Sequence, residues 1–401
     1  MILGALACLA VDTHVATQLV VGAAAQPFAR PTPSVALGIT AMNSQRLKEI
    51  VDSLLAQEKK HAIQARLNEV LTAITNLASQ PNAQQYQTAA AEAINALQTA
   101  VDSLHQTLSP AQVKNIEEIG AAPYFSPSMV GRIREQMITN AMTPAVVQQS
   151  VQDWVNRRNN FITVLTNLSR DLAAVGIQTD ELSPGDSEVG IRFPSDLFGN
   201  DLGGLIDELK WLHRTFRFFQ EVANVGPGPI TVRQISTSDP TFFFGMDVTS
   251  LVLFGLAAKW LVDVLKGTLD IKQIITLARK AGFANDKIAI FDAEMEQRIE
   301  AAVSKRVAEM LADFRGDSGR KNELEAGLTK SVTGLAARIE RGMTIEIRCL
   351  PPPIDENAAA PEDVARAGQF QTLAAVSQEL EFPKVEGQPV LQLGPAEPEE
   401  R

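Results

Sequence analysis

The segment Glu188–Phe193 (EVGIRF) opens the stretch of sequence that decides the fold, Ser187–Lys266. Its apolar and polar residues alternate, which is typical of a half-buried strand. Two more such segments follow, Ile230–Ser236 (ITVRQIS) and Thr241–Met246 (TFFFGM), on either side of the turn Ser238-Asp239-Pro240. Because a turn with Asp and Pro reverses the chain between them, we predict that these two segments form a β-hairpin.

A fourth alternating segment, Thr344–Leu350 (TIEIRCL), lies far along the chain and follows the helix-ending Gly342. None of the four segments is long enough to be stable alone, so we expect them to share one sheet. Nearly everything else has helical periodicity. The predicted fold class is therefore α+β and predominantly α-helical, with long helices and helical hairpins packed on a small, mainly antiparallel sheet of about four strands.

The helical runs suggest four regions along the chain. Residues 1–41 differ from the rest and are expected to be poorly ordered or a mis-assigned N-terminal segment. Residues 42–110 are predicted to form a helical hairpin arm with its turn at Gln80-Pro81-Asn82, and residues 111–350 an α+β body with a helical bundle. Residues 351–401 are rich in proline and acidic residues, and we predict a disordered tail.

The charge distribution bears on the kind of partner. The tail carries ten acidic and three basic residues, so it supplies −7 of the net charge of −11. This balance argues against a nucleic-acid partner, which would require a clustered basic face. The two cysteines, Cys8 and Cys349, lie at opposite ends of the chain and favour a cytoplasmic location, with a secreted or membrane-associated one as the alternative.

No nucleotide-binding glycine loop, metalloprotease motif, paired-cysteine motif or nucleophile elbow is present in the sequence. The four histidines are not at metal-ligand spacing, so we predict no catalytic, cofactor-binding or metal-ligating residue. The alternative is an enzyme of unrecognised type with a site near His213, for which Glu208 would be the acid–base partner. Five positions of separation place these two side chains on different helix faces, which weakens that alternative.

One predicted helix, Asp201–Val225, has a second aromatic face in addition to its main apolar stripe. Trp211 and Phe218 are seven positions apart on this second face, with Arg214 between them. Such a face indicates either a surface for a partner or a helix that is covered on two sides by the helical arms, and core packing is the favoured interpretation. We retain the three residues as a candidate interaction surface.

The most apolar run is Val248–Ala258. Together with Phe242–Met246 it approaches the length of a membrane span, but Asp247 interrupts it and Lys259 and Asp263 follow directly. A buried helix is the favoured interpretation. A membrane-associated protein that uses this helix is the third functional alternative.

Several short segments resemble uncharacterised bacterial, helix-rich proteins of unknown function. They are Arg320–Leu324 (RKNEL), Ala337–Gly342 (ARIERG), Ile345–Arg348 (IEIR) and Ile235–Pro240 (ISTSDP). The resemblance covers roughly residues 111 to 349. It implies a bacterial source, and it brings no activity with it.

The leading functional interpretation is a non-enzymatic, scaffold-like binding or assembly protein that acts through helical surfaces. Apolar residues recur at four-residue steps along Phe291–Leu311, and a sheet of about four strands cannot cover every such stripe. We therefore expect a protein partner or a homodimer, with Phe291, Ile299 and Val303 as the second candidate interaction surface. The competing expectation is a bundle that buries these stripes within one chain.

Overall fold

Four strands form one antiparallel sheet in the computed structural model, as predicted. They are β1 (Ser187–Arg192), β2 (Thr231–Ser236), β3 (Thr241–Gly245) and β4 (Thr344–Cys349), in the spatial order β2-β3-β1-β4. The strands β2 and β3 form the predicted hairpin, and β4 pairs with β1. A bulge interrupts β2 between Val232 and Gln234, which leaves Arg233 outside the ladder.

The structure describes residues 44–179, 182–236, 240–280, 285–353 and 360–383, and the single residues 389, 391 and 393. For residues 268–280 and 285–292 it describes only the backbone. The expectation for residues 1–41 lies outside the described residues. Within them the fold is predominantly helical α+β, which confirms the predicted class.

The two faces of the sheet differ in chemistry because successive side chains on a strand point to opposite sides. The register places apolar residues on one face, namely Val189, Ile191, Phe242, Phe244, Ile345 and Ile347. It places mainly polar residues and glycine on the other face, namely Glu188, Gly190, Gly245, Glu346 and Arg348, with Phe243 among them.

The apolar face shares one hydrophobic core with the helices that follow β1. After a short 3-10 turn at Ser195–Leu197, these are α8 (Leu202–Val222), α9 (Val248–Lys280), α10 (Asn285–Met310), α11 (Ser318–Ile339) and α12 (Pro361–Glu379). Asp201 caps the first turn of α8, since its carboxylate accepts the backbone N–H of Gly204 at 3.1 Å. Gly342 ends α11 with a positive φ of 91°, a conformation that glycine adopts without strain.

The first part of the chain forms a separate helical core. Its helices are α1 (Ser44–His61), α2 (Ile63–Ser79), α3 (Gln84–Thr107), α4 (Pro110–Glu118), α5 (Ala122–Phe125), α6 (Ser128–Thr139) and α7 (Pro144–Ala174). Buried side chains from Ile50 to Leu165 belong to this core. The arm predicted to end at residue 110 therefore shares its core with the helices up to α7, and the division between the two cores falls between Leu165 and Val189.

The hairpin predicted for residues 42–110 contains three helices, because the chain breaks at Ala62. This residue adopts the left-handed helical backbone conformation, with φ 52° and ψ 40°. The carboxylate of Glu58 stabilises the break, since its Oε1 accepts the backbone N–H of Gln64 at 2.8 Å. The same carboxylate pairs with Arg158 of α7, whose side chain is fully buried. A partner so distant in sequence could not be read from the local apolar pattern.

The prediction of a disordered tail after residue 350 was wrong for α12. This helix buries Phe370, Leu373 and Val376 against α9 and β4, and Leu380 follows them into the same core. The apolar residues appear isolated in the acidic sequence, but their spacing of three and four positions aligns them on one side of a helix. That side has enough apolar area to offset the cost of ordering the segment.

Candidate functional site

The polar face of the sheet carries a cluster of five charged side chains that share ion pairs. We call it the charged joint, and it consists of Arg46 and Glu49 of α1, Glu188 of β1, and Glu346 and Arg348 of β4. The strands place their three members side by side, because Glu188 pairs with Arg348 in register and Glu346 lies two positions before it. The helix α1 lies over this face.

Arg46 connects the helix to the sheet. Its Nη2 donates to both carboxylate oxygens of Glu346, at 2.6 and 2.5 Å, and its Nη1 donates to Oε2 of Glu49 at 2.9 Å. Only 7% of Arg46 is exposed. Such shielded, charge-assisted hydrogen bonds are stronger than their counterparts at the surface.

Arg348 makes the second connection. Its Nε donates to Oε1 of Glu188 at 2.5 Å, and its Nη1 contacts the carboxylate of Glu49. Burial lowers the pKa of Arg348 to about 9, and the positive charge of Arg46 acts in the same direction. Glu188 is itself only 1% exposed, so its carboxylate is paired with Arg348 in a buried environment.

Phe243 lies beneath both guanidinium groups. The Cζ atoms of Arg46 and Arg348 are 5.2 and 4.9 Å from the centroid of its ring, within the range of cation–π attraction. Gly190 makes room for the ring, because a Cβ at this position would lie 2.5 Å from Cε1 of Phe243. Gln234, opposite Phe243 in the ladder, is buried, and its Oε1 has no hydrogen-bond partner in the structure.

The chemistry of the charged joint follows from this pairing. Each of its three carboxylates is paired with a guanidinium group, so the cluster holds α1 against the sheet. Across the described part of the chain, no group of three His, Cys, Asp or Glu side chains is arranged to hold a metal ion.

Sequence reasoning missed the charged joint, although one signal was present. Charged residues alternate with apolar ones along β1 and β4, and a glycine occupies the same face of β1. This pattern indicates a polar sheet face. It could not indicate that Arg46, some 300 positions away in sequence, would cover that face.

The first candidate interaction surface packs inside the molecule. A Cβ at Gly334 would lie 3.0 Å from Nε1 of Trp211, and a Cβ at Gly327 would lie 2.6 Å from the ring of Phe218. The two aromatic side chains of α8 therefore fit over two glycines of α11 that have the same spacing of seven. Trp211 and Phe218 are partly buried and line an internal helix contact, in agreement with the favoured interpretation of core packing. Arg214 lies exposed between them.

The acid–base pair of His213 with Glu208 is not formed. Glu208 is buried and binds Arg338, whose Nε donates to Oε2 at 2.5 Å and whose Nη2 donates to Oε1 at 3.0 Å. The guanidinium of Arg338 also stacks on Trp211, 3.6 Å from the ring centroid. His213 is exposed and contacts Arg217 at 3.4 Å. The carboxylate is therefore occupied by an ion pair away from the imidazole.

The second candidate interaction surface is also internal. Ile299 and Val303 are 2% and 0% exposed and belong to the core that α10 shares with α11. The internal bundle is what the structure shows for this helix, so an interface at these two residues was a wrong prediction. The side chain of Phe291 lies outside the described residues.

A different surface remains exposed, at the connection between α6 and α7. Ile138 is 79% exposed, Met142 94% and Val146 54%. We call these three residues the apolar tip. No charged residue occurs from Gln136 to Gln152 around it. The uncharged run was the available signal in the sequence, but helical periodicity alone does not show which residues remain uncovered.

The apolar run Val248–Ala258 lies in α9. In the described residues, the segment Val248–Gly267 is long and apolar enough to cross a membrane by length and composition, a test that buried core helices also pass. Leu251, Phe254 and Leu261 of this segment are fully buried in the core. The favoured interpretation of a buried helix agrees with this packing.

The fold and these surfaces define a predominantly helical α+β protein in which two cores meet at a charged joint. No protein-family model, no curated protein and no solved structure matches this chain.

Proposed function

We propose that this chain is a non-enzymatic binding and assembly protein that presents the apolar tip to a protein partner. The observation that supports this proposal is the exposure of Ile138, Met142 and Val146, which occur within eight positions of one another in a run without charges. Contiguous exposed apolar side chains have no favourable contact in water, and they commonly mark interaction sites.

The support beneath the apolar tip favours the same proposal. α7 contains 31 residues and is therefore roughly 46 Å long. One face of this helix is anchored by Val147 and Val151 in the first core, close to the tip. A pre-organised surface of this kind loses little conformational entropy when a partner binds.

The segment 136–152, which carries the apolar tip, has no charged residue, and Arg134 and Glu135 directly precede it. At the tip itself, shape and apolar contact would therefore determine affinity. We therefore propose a partner that offers an uncharged apolar pocket. A bacterial source, a cytoplasmic location and a homodimer are further expectations from the sequence that stay predictions.

A photo-crosslinking amino acid at position 142 of the full chain, in the cells that produce it, tests this function. We expect one discrete crosslinked product, which disappears when Ile138 and Val146 are both changed to Asp. The matched control is the same crosslinker at Val164, which is 58% exposed on α7 but away from the tip. Identical products at both positions, or a product that survives the double substitution, would contradict the proposal.

A further inference from the structure

The helix α12 lies in a groove between α9 and β4, which we call the α9–β4 groove. The groove accepts a helix closely because residue 255 lacks a side chain. A Cβ on Gly255 would lie 3.0 Å from Cδ1 of Ile347 and 3.2 Å from Cγ1 of Val376. The floor of the groove is thus complementary in shape to α12.

Only one side of α12 takes part in this contact. The buried residues are Phe370, Leu373, Val376 and Leu380, three or four positions apart. The first turns of the helix, residues 361–366, are exposed. The contact is therefore a single apolar stripe along the C-terminal half of the helix, which is the usual way in which an amphipathic helix occupies a groove.

Polar contacts at the rim give the α9–β4 groove a charge preference. The Nζ atoms of Lys259 and Lys266 lie 3.0 and 2.8 Å from the carboxylates of Glu379 and Glu381. Ser377 Oγ donates to the backbone oxygen of Ile347 at 2.7 Å. The cationic rim thus selects carboxylates at the C-terminal end of the bound helix. Both glutamates are more than half exposed, so these pairs hold α12 weakly.

We propose that the α9–β4 groove is a helix-binding site for which α12 is the built-in ligand. Its external ligand is an amphipathic helix of a different protein with the same apolar spacing and with carboxylates near its C-terminal end. This ligand displaces α12 by competing for the same floor and rim. The apolar tip is not involved, so this proposal stands independently of the proposed function.

The competition has a measurable consequence. While α12 fills the groove, an external helix binds with an affinity reduced by the fraction of molecules in which the groove is open. Release of α12 removes this reduction without altering the groove itself.

The test uses the full chain with Phe370 and Leu373 both changed to Asp, which we call the release variant. The probe is a fluorescent peptide with the sequence of residues 360–382, and its binding is followed by anisotropy. We expect the release variant to bind the peptide at least tenfold more tightly than the wild-type chain does. A peptide with the same two Asp substitutions is expected not to bind.

A second substitution tests whether the peptide binds in the α9–β4 groove. Gly255→Val in the release variant fills the space that the side chains of the bound peptide corresponding to Leu373 and Val376 need. We therefore expect the affinity for the peptide to fall at least tenfold. Circular dichroism shows whether each variant is folded. Absence of peptide binding to a folded release variant, equal binding by wild type and release variant, or no effect of Gly255→Val would each overturn the proposal. So would a release variant that fails to fold, because α12 would then be an obligatory part of the core.

A second copy of the chain is the competing occupant of the groove. Sedimentation of the wild-type chain at tens of micromolar separates the two cases. A monomer in this experiment supports the proposed partner. A dimer that dissociates in the release variant would assign the groove to α12 of the second copy and overturn the assignment to a different protein.

Discussion

Glu188 shows what a single buried charge requires in this fold. Its side chain is almost completely buried beneath α1, where an unpaired carboxylate would be strongly disfavoured. Arg348 supplies the compensating charge, and Glu49 approaches that guanidinium from the helix. Removal of one member of such a pair costs more than the pair contributes, because the other charge remains buried.

Glu188→Gln is therefore expected to lower the free energy of unfolding by about 3 kcal/mol, in the range observed for broken buried pairs. Urea denaturation of the full chain measures this change. The matched control is Glu323→Gln, whose carboxylate pairs with Arg320 at the surface and which we expect to have little effect. Equal effects of the two substitutions would show that Glu188 is less dependent on its pairing than its burial indicates.

Asp186 gives a prediction for acidic pH. A hydrogen bond from Arg233 lowers the pKa of Asp186 below its ordinary value of 3.8. A carboxylate whose pKa is lower in the folded state stabilises the protein above its unfolded pKa. This contribution is lost as the pH falls through the folded pKa.

We expect wild type to exceed Asp186→Asn in free energy of unfolding by less than about 1 kcal/mol at pH 7, because the pair is partly exposed. The difference should be the same at pH 5 and should shrink below pH 3.8. Denaturation of both proteins at pH 7, 5 and 3 measures it. Arg233→Gln, which removes the other partner, should reproduce the profile. A difference that grows toward low pH would contradict the assignment.

At the scale of elements, the contact between α8 and α11 depends on matched spacing. Two aromatic residues seven positions apart on one helix meet two glycines seven positions apart on the other. Side chains seven apart lie on the same face of a helix, so both contacts form at once. A glycine within a helix is unfavourable on its own, and here the close approach of an aromatic ring compensates for it.

Gly327→Ala is expected to destabilise the protein by roughly 1–3 kcal/mol, since the new methyl group would collide with the ring of Phe218. Thermal or urea unfolding measures the change. Gly131→Ala in α6 is the matched control, because no atom lies within 4 Å of the position that its Cβ would occupy. That substitution should stabilise the protein by about 0.5–1 kcal/mol through helix propensity. A loss of stability in the control would contradict this explanation.

At the scale of the whole molecule, two hydrophobic cores are connected by the charged joint. The first core extends from Ile50 to Leu165 and the second from Val189 to Leu391. Arg46 belongs to a helix of the first core, and its partner Glu346 belongs to the sheet of the second. Cooperative unfolding of the molecule thus depends on this ion pair together with the contact of Arg348 with Glu49 and the pair of Arg192 with Glu118.

Arg46→Met is expected to separate the unfolding of the two cores into two transitions, where the wild-type chain shows one. The reason is that Glu346 would remain buried without its partner, which weakens the contact between α1 and the sheet. Circular dichroism and tryptophan fluorescence during urea unfolding should then give different midpoints. Arg66→Met, which removes an exposed pair in α2, should leave them coincident. Coincident midpoints in Arg46→Met would show that the cores are coupled by other contacts.

Local sequence features determined the class of the fold and the position of its strands. The alternation in Glu188–Phe193 and Thr344–Leu350 can be recognised from neighbouring residues alone, and the antiparallel pairing of β2 with β3 follows from their closeness in the sequence. The end of α11 near Gly342 can likewise be predicted from the local sequence, because glycine adopts a positive φ without strain wherever it occurs. These features depend on the conformational preferences of a few consecutive residues.

Only the tertiary structure decided what covers each apolar or charged face. The sequence showed that Trp211, Phe218, Ile299 and Val303 lie on apolar helix faces. An internal neighbour and a partner protein can cover such a face equally well. The same holds for α12 and for the polar face beneath Arg46, whose partners lie far away in the chain. Burial is a property of contacts between distant segments, so it cannot be derived from the pattern of one segment alone.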